Sequence, residues 1–164
     1  MNAWIPRLRT ALYKWTSLAQ RTWYVKFWGM DIGKDVRISR AARLDRTNPR
    51  GVHIGDHTLI SFDAAVLSHD FVNGRHVDTW IGSHSFIGAR AMILPGVRVG
   101  NHCIIGSGSI VTTDIPDHSI AVGSPARIIE TNIVTGRFGI RNPRFLAKEG
   151  VSTPAANSPN QPKP

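Results

Sequence analysis

Between Ile81 and Pro116 the sequence repeats every six residues, six times in succession: IGSHSF, IGARAM, ILPGVR, VGNHCI, IGSGSI and VTTDIP. Each block opens on an aliphatic residue (Ile81, Ile87, Ile93, Val99, Ile105, Val111), and its fifth place is small or β-branched (Ser85, Ala91, Val97, Cys103, Ser109, Ile115). A helix needs apolar residues about every 3.6 positions, and a long half-buried strand needs them every second position. Six is a multiple of two, but the Gly that follows most of the aliphatic residues interrupts any long strand. What remains is a short strand, a turn and another short strand, with three blocks closing one coil. Such a chain is an all-β solenoid, in which every eighteenth residue sits about 4.8 Å above its counterpart at parallel strand spacing.

The pattern continues upstream in two other phases. Ile32, Ile38 and Leu44 form one set, and Ile54, Ile60 and Val66 another. The step from Leu44 to Ile54 is ten residues and that from Val66 to Ile81 is fifteen, so the chain leaves the coil twice. The first excursion holds Asn48-Pro49-Arg50-Gly51 and reads as a turn. The second, 71–80, is a loop carrying Asn73-Gly74, and loops on a rigid scaffold are where function concentrates.

From Ile32 to Arg127 there are 96 residues, about five coils of eighteen. A prism of that kind has flat faces and open ends, which favours oligomers and end caps. The lone Cys103 falls in a repeat's small place, reads as a packed core thiol and fits a reducing cytoplasm. The net charge of +9 suits phosphates, anionic sugars or an anionic membrane face. Nucleic acid is not expected as a partner, because no recognition helix or aromatic-basic motif is present.

Residues 1–30 differ sharply. Trp4, Leu8, Leu12, Trp15, Leu18 and Trp23 recur mostly every three or four residues, with Arg7, Arg9, Lys14, Arg21 and Lys26 between them. This spacing predicts an amphipathic basic helix, too interrupted to span a bilayer. It either caps the open end of the prism (or packs on a neighbouring subunit) or rests, through residues 1–28, on the inner membrane surface. Residues 31–130 form the repeat body, 131–149 a C-terminal extension, and the Ser-, Asn- and Pro-rich 150–164 is expected to be a disordered tail.

The hexapeptides, followed by GSGSIVTTDIPDHSIAVGSPARII (Gly106 to Ile129), resemble the left-handed β-helix O-acyltransferases of the maltose, galactoside and colanic-acid type. The left hand comes from that resemblance, since ordinary parallel crossovers are right-handed. It implies a homotrimer that transfers an acetyl group from acetyl-CoA to a sugar hydroxyl, with no metal; Cys103 points to the cytoplasm and the basic N-terminal helix to its inner membrane face. It also places the general base at His69, where a loop leaves the coil. A hydroxyl is a poor nucleophile at neutral pH, and histidine, with an ordinary pKa of about 6.5, suits removal of its proton. Neither Asp70 nor Asp63 is well placed to orient His69, and a backbone carbonyl could do so.

For acetyl-CoA the resemblance points to a groove beside the regular coils, with Gly88, Ala89, Gly106 and Ser107 low against the backbone and Pro125 and Arg127 near the nucleotide phosphates. The glycines have a structural reading as well, because tight corners tolerate glycine best. Acceptor contacts are expected from Asp70, Asn73 and Arg75, and from an aromatic wall rebuilt from Trp80 and Phe86. His84 and His102, eighteen residues apart, are expected to stack on the outside of one face, whereas His53, His57, His76 and His118 are expected to be solvated. The rival functions are N-acylation of an amino sugar, a non-catalytic scaffold, and a metal-binding, carbonic-anhydrase-like branch of the same solenoid.

Overall fold

The computed structural model describes residues 18–151. The expectations for residues 1–17 and 152–164 lie outside that range. Within it, the chain visits three parallel sheets in rotation. The first sheet holds Asp31–Ile32, Val52–Ile54, Thr79–Ile81 and Arg98–Val99. The second holds Arg37–Ile38, Leu59–Ile60, Phe86–Ile87, Ile104–Ile105 and Ile120–Gly123, and is closed by the antiparallel strand Ala126–Glu130. The third holds Arg43–Leu44, Ala65–Val66, Met92–Ile93 and Ile110–Val111. The chain thus makes four complete rounds, and the Val99–Ile115 bridge with Ile120–Gly123 begins a fifth.

The register reproduces the spacing in the sequence. Trp80, Ile87 and Met92 pair with Arg98, Ile105 and Ile110, eighteen residues on. Where the chain makes its first excursion the offset grows to 22 (Ile32 with Ile54), and at the second to 27 (Ile54 with Ile81). The extra four and nine residues are the 3-10 turn Pro49–Gly51 with its flanks and a projecting hairpin, His69–Asp70 with Arg75–His76. The last repeat departs from expectation. Ile115 is not the fifth place of a full block but the first place of the next round, so the step from Val111 is four residues.

The blocks that open on the first sheet are built the same way. The opening aliphatic side chains point inward and are fully buried or nearly so from Ile32 to Val111, forming one continuous core. The Gly after them lets the coils touch: a Cβ on Gly82 would lie 2.5 Å from the carbonyl carbon of Gly100. The third-place side chain then accepts a hydrogen bond from the amide of the coil before it. Asp56 takes the Lys34 N–H (2.6 Å), Ser83 that of Asp56 (3.0 Å), Asn101 that of Ser83 (2.9 Å) and Asp117 that of Asn101 (2.8 Å). These bonds satisfy corner amides that the ladders leave unpaired. Cys103 is buried, and burial pushes its thiol pKa up.

The two ends are covered differently. A helix, described over 18–26, caps the first coil. Tyr24 and Met30 are buried, Val25 and Trp28 pack on the core, and the Arg21 guanidinium donates to the carbonyls of Gly33 (2.6 Å) and Ile32 (2.7 Å). After Glu130 the chain turns back along the corner between the first and second sheets, burying Ile133, Thr135, Phe138 and Leu146. The short helix Pro143–Lys148 follows, and Arg137 ties this strap to Glu149 (2.6 Å) and Asp35 (3.1 Å).

Candidate functional site

The projecting hairpin leaves the coil at the corner between the third and first sheets, immediately after Val66. Leu44 and Val66 are in register, so Asp45 lies at the same corner one coil earlier. Its carboxylate is almost closed off, at 3% side-chain exposure, and meets His69 there: Oδ2 is 2.6 Å from Nδ1. The same oxygen accepts the amides of Ser68 (2.9 Å) and His69 (3.0 Å), and Oδ1 accepts that of Thr47 (2.8 Å).

Burial pushes the Asp45 carboxyl up, but the hydrogen bonds from Ser68, His69 and Thr47 outweigh it and bring its pKa down to about 2. An ionised carboxylate can only accept. Nδ1 of His69 therefore carries the proton, and in the neutral ring the lone pair is on Nε2. Among the described residues Nε2 has no hydrogen-bond partner, and the ring is about a quarter exposed (26%). This is the arrangement a general base requires.

The surrounding corner is rigid. Ser68 Oγ donates to the Asn48 carbonyl (2.6 Å), Asn48 Nδ2 to that of Ser68 (2.8 Å), and Thr79 Oγ1 to that of Leu67 (2.6 Å). Asp45 and Thr79 were not singled out from the sequence, and Asn48 only as part of a turn, yet Asp45 holds His69 while Asn48 and Thr79 fasten its neighbours Ser68 and Leu67.

The other candidates are distributed more widely. Asp70, Asn73 and Arg75 do come together, but on each other. Asn73 donates to Asp70 through Nδ2 (2.5 Å) and its amide (3.1 Å), and Arg75 approaches at 3.4 Å. The Asn73 side-chain bond, its amide and then Arg75 hold the Asp70 carboxyl below its usual range against a weak opposing burial. These contacts shape the hairpin, whose tip carries the exposed Phe71 and Val72.

Trp80 and Phe86 do not form one wall within a chain, because Trp80 is on the first sheet and Phe86 on the second. Trp80 stacks on His53 (3.7 Å between centroids, 6° between planes) with Arg98 5.4 Å above it. It borders a shallow groove of about 540 Å³ shared with Arg98, Asn101, Asp114 and Asp117, none of which belongs to the Asp45–His69 couple.

Gly88, Ala89, Gly106 and Ser107 occupy a different edge, the corner between the second and third sheets. There a Cβ on Gly88 would lie 2.6 Å from the Ser107 amide, so coil stacking by itself requires that glycine. Pro125 and Arg127 lie exposed at the turn into the closing strand. Among the described residues no carboxylate pairs with Arg127, whose Nη1 donates only to the Ala126 carbonyl (3.0 Å).

The histidines also need correction. His84 and His102 stack (4.9 Å), but at the corner between the first and second sheets and beneath the C-terminal strap rather than on an open face. His118, expected to be solvated, extends the stack to three rings at 4.8 Å, and His57, also expected to be solvated, adds a fourth ring at 5.0 Å, tilted by 52°. All four take the left-handed conformation, with φ of 54° to 59°. His102 and His118 donate from Nδ1 to the carbonyls of Thr135 (3.0 Å) and Ile133 (2.8 Å). Burial first, then His102 and His57, lower the pKa of His84. Among the described residues no group of three or more His, Cys, Asp or Glu side chains is set to hold a metal ion.

Comparison with known proteins agrees with this fold. The bacterial transferase hexapeptide model, six repeats long, matches residues 78–113. The protein YvoF of Bacillus subtilis (strain 168), which carries the name of an acetyltransferase, is 31% identical over 117 residues, covering 70% of this chain and 68% of its own. The crystal structure of the polySia-specific acetyltransferase NeuO is 32% identical with a TM-score of 0.54. The match covers 65% of this chain and 53% of NeuO, so the chain spans about half of that protein. A galactoside acetyltransferase in complex with coenzyme A superimposes with a TM-score of 0.55 over 68% of each chain, at 24% identity a likeness of fold alone.

Proposed function

Since the chain belongs to the hexapeptide-repeat acyltransferases, we propose that it transfers an acetyl group from acetyl-CoA to a hydroxyl of a sugar or polysaccharide precursor, with His69 as general base. The observation that carries this reading is the 2.6 Å bond from His69 to a nearly enclosed, ionised Asp45. Asp45 holds the Nδ1 proton in place, so Nε2 is free to take the acceptor's proton as its oxygen attacks. The acetyl thioester supplies the acyl carbon and a thiol leaving group, and the protonated His69 returns the proton to the departing sulfur. Arg127, a guanidinium with no acidic partner among the described residues, suits the phosphates of the donor. The left hand of the coil and a homotrimeric assembly are carried over from the family as parts of the same reading. Release of free thiol from acetyl-CoA, screened against sugars, amino sugars and serine, tests it. Sugar-dependent release with an O-acetyl product is expected. Release with amino sugars alone would replace it with N-acylation, and none with any acceptor would leave a scaffold.

The trimer has its own support. His69 stands at the corner between the third and first sheets, and Gly88 and Gly106 at that between the second and third. One chain therefore does not bring base and donor surface to a single edge, whereas two adjacent copies can. The exposed Phe71 and Val72 beside His69 suit burial against a second copy. Two inactive variants, His69→Ala and Arg127→Ala, should complement each other when co-assembled. A site drawing one residue from each of two chains should regain roughly a quarter of wild-type activity under random mixing in a symmetric oligomer. A site within one chain should regain none.

A further inference from the structure

We propose that the N-terminal helix is a docking surface for an anionic lipid bilayer. Two faces of it are visible over 18–26. The inner face caps the first coil through Arg21, Tyr24 and Val25. The outer face has no such work: Leu18, Trp23 and Phe27 are 61%, 52% and 64% exposed, with Thr22 and Lys26 beside them on the same stripe. Trp23 and Phe27 stack face to face, 4.2 Å apart and 7° from parallel, and so present one preformed aromatic plate. A water-exposed plate of this kind costs free energy unless something covers it.

Charge identifies what covers it. Residues 1–30 contain five basic residues (Arg7, Arg9, Lys14, Arg21, Lys26) and no acidic one. The coil directly beneath adds Lys34, Arg37, Arg40, Arg43, Arg46 and Arg50. In that coil the acids are Asp31, Asp35 and Asp45, and each has a partner, in His53, Arg137 and His69. Arg46 lies over Trp28 at 5.5 Å, and the Arg50 side chain reaches Gly29, so these two arginines form a basic collar at the foot of the helix. Two copies meeting through this end would set like charges against each other. An anionic bilayer meets both features at once, taking the aromatic plate at headgroup depth and the collar against its phosphates. Among the described residues no helix is long and apolar enough to cross a membrane.

Sedimentation of the full chain with vesicles tests this, using phosphatidylcholine with and without 30% phosphatidylglycerol as an order-of-magnitude anionic content. The wild type should bind the anionic vesicles, at least tenfold more weakly in high salt, and bind pure phosphatidylcholine weakly. The double variant Trp23→Ser/Phe27→Ser changes only exposed side chains and should lose at least tenfold in anionic-vesicle binding. Thiol release with a water-soluble acceptor should be unchanged in that variant, which separates this inference from the acyl-transfer reading. No binding by the wild type, or equal binding by the variant, would overturn the docking surface. So would a drop in oligomeric state of the variant without loss of vesicle binding, which would assign the plate to a second copy.

Discussion

Replacing His69 with Ala should lower acetyl transfer by about 100-fold or more, while the protein keeps its oligomeric state and fold. The reasoning is local. His69 stands on a two-residue strand, with its backbone and ring both fastened to Asp45, and contributes nothing to the apolar core. Its removal therefore costs one charge-assisted hydrogen bond, about 2 kcal/mol, and no packing. His76, which faces it across the hairpin, supplies the control. It is exposed and touches neither Asp45 nor the core, so His76→Ala should stay within about twofold of wild type in a base-catalysed reaction. Thiol release under saturating acetyl-CoA, with circular dichroism and size measured on the same samples, decides the matter. Near-normal turnover in the His69 variant would remove the general-base assignment.

The repeat made the architecture legible before any coordinates, because six-residue spacing fixes both the burial of each opening side chain and the register between coils. The ten- and fifteen-residue steps became register offsets of 22 and 27 without remainder. Asp45 escaped notice for a physical reason. It is 24 residues from His69, across the first excursion, and the eighteen-residue spacing between regular coils gives no such offset. The signal was nonetheless present, since pairing Leu44 with Val66 aligns Asp45 with Leu67 and sets it beside Ser68 and His69. The histidine stack was half legible. Its members all fill the fourth place after the first-sheet aliphatic residue, but the shortened step to Ile115 hid His118, and the earlier phase hid His57. The strap over that stack follows no period at all. Its placement depends on particular bonds such as Phe138 N–H to the His57 carbonyl (2.7 Å) and Thr135 Oγ1 to that of His84 (2.7 Å), which no spacing argument can supply.

Asp45→Asn should weaken both the chemistry and the fold, and acid should separate the two effects. An amide oxygen in the Oδ2 position can still accept from Ser68 and His69, but its NH2 then faces the Thr47 amide, donor against donor, where Oδ1 now accepts at 2.8 Å. The negative charge that stabilises His69 when it takes up a proton is also lost. Turnover should fall about 10-fold to 1,000-fold, the range expected when a base loses its orienting charge, with little change in KM for acetyl-CoA. The stability loss follows from linkage. The folded Asp45 carboxyl titrates at about 2 rather than 3.8. A lowered carboxylate pKa stabilises the native state above the unfolded value, and that contribution disappears as pH falls through the folded one. At neutral pH it amounts to roughly 2 kcal/mol. Wild type should therefore exceed the variant by about that much in urea unfolding at pH 7, and the gap should narrow steadily between about pH 4 and pH 2 as Asp45 takes up its proton. A gap that stays constant down to pH 2 would mean that the charge on Asp45 contributes nothing to the fold. Unchanged turnover would mean that it does not orient His69 for catalysis.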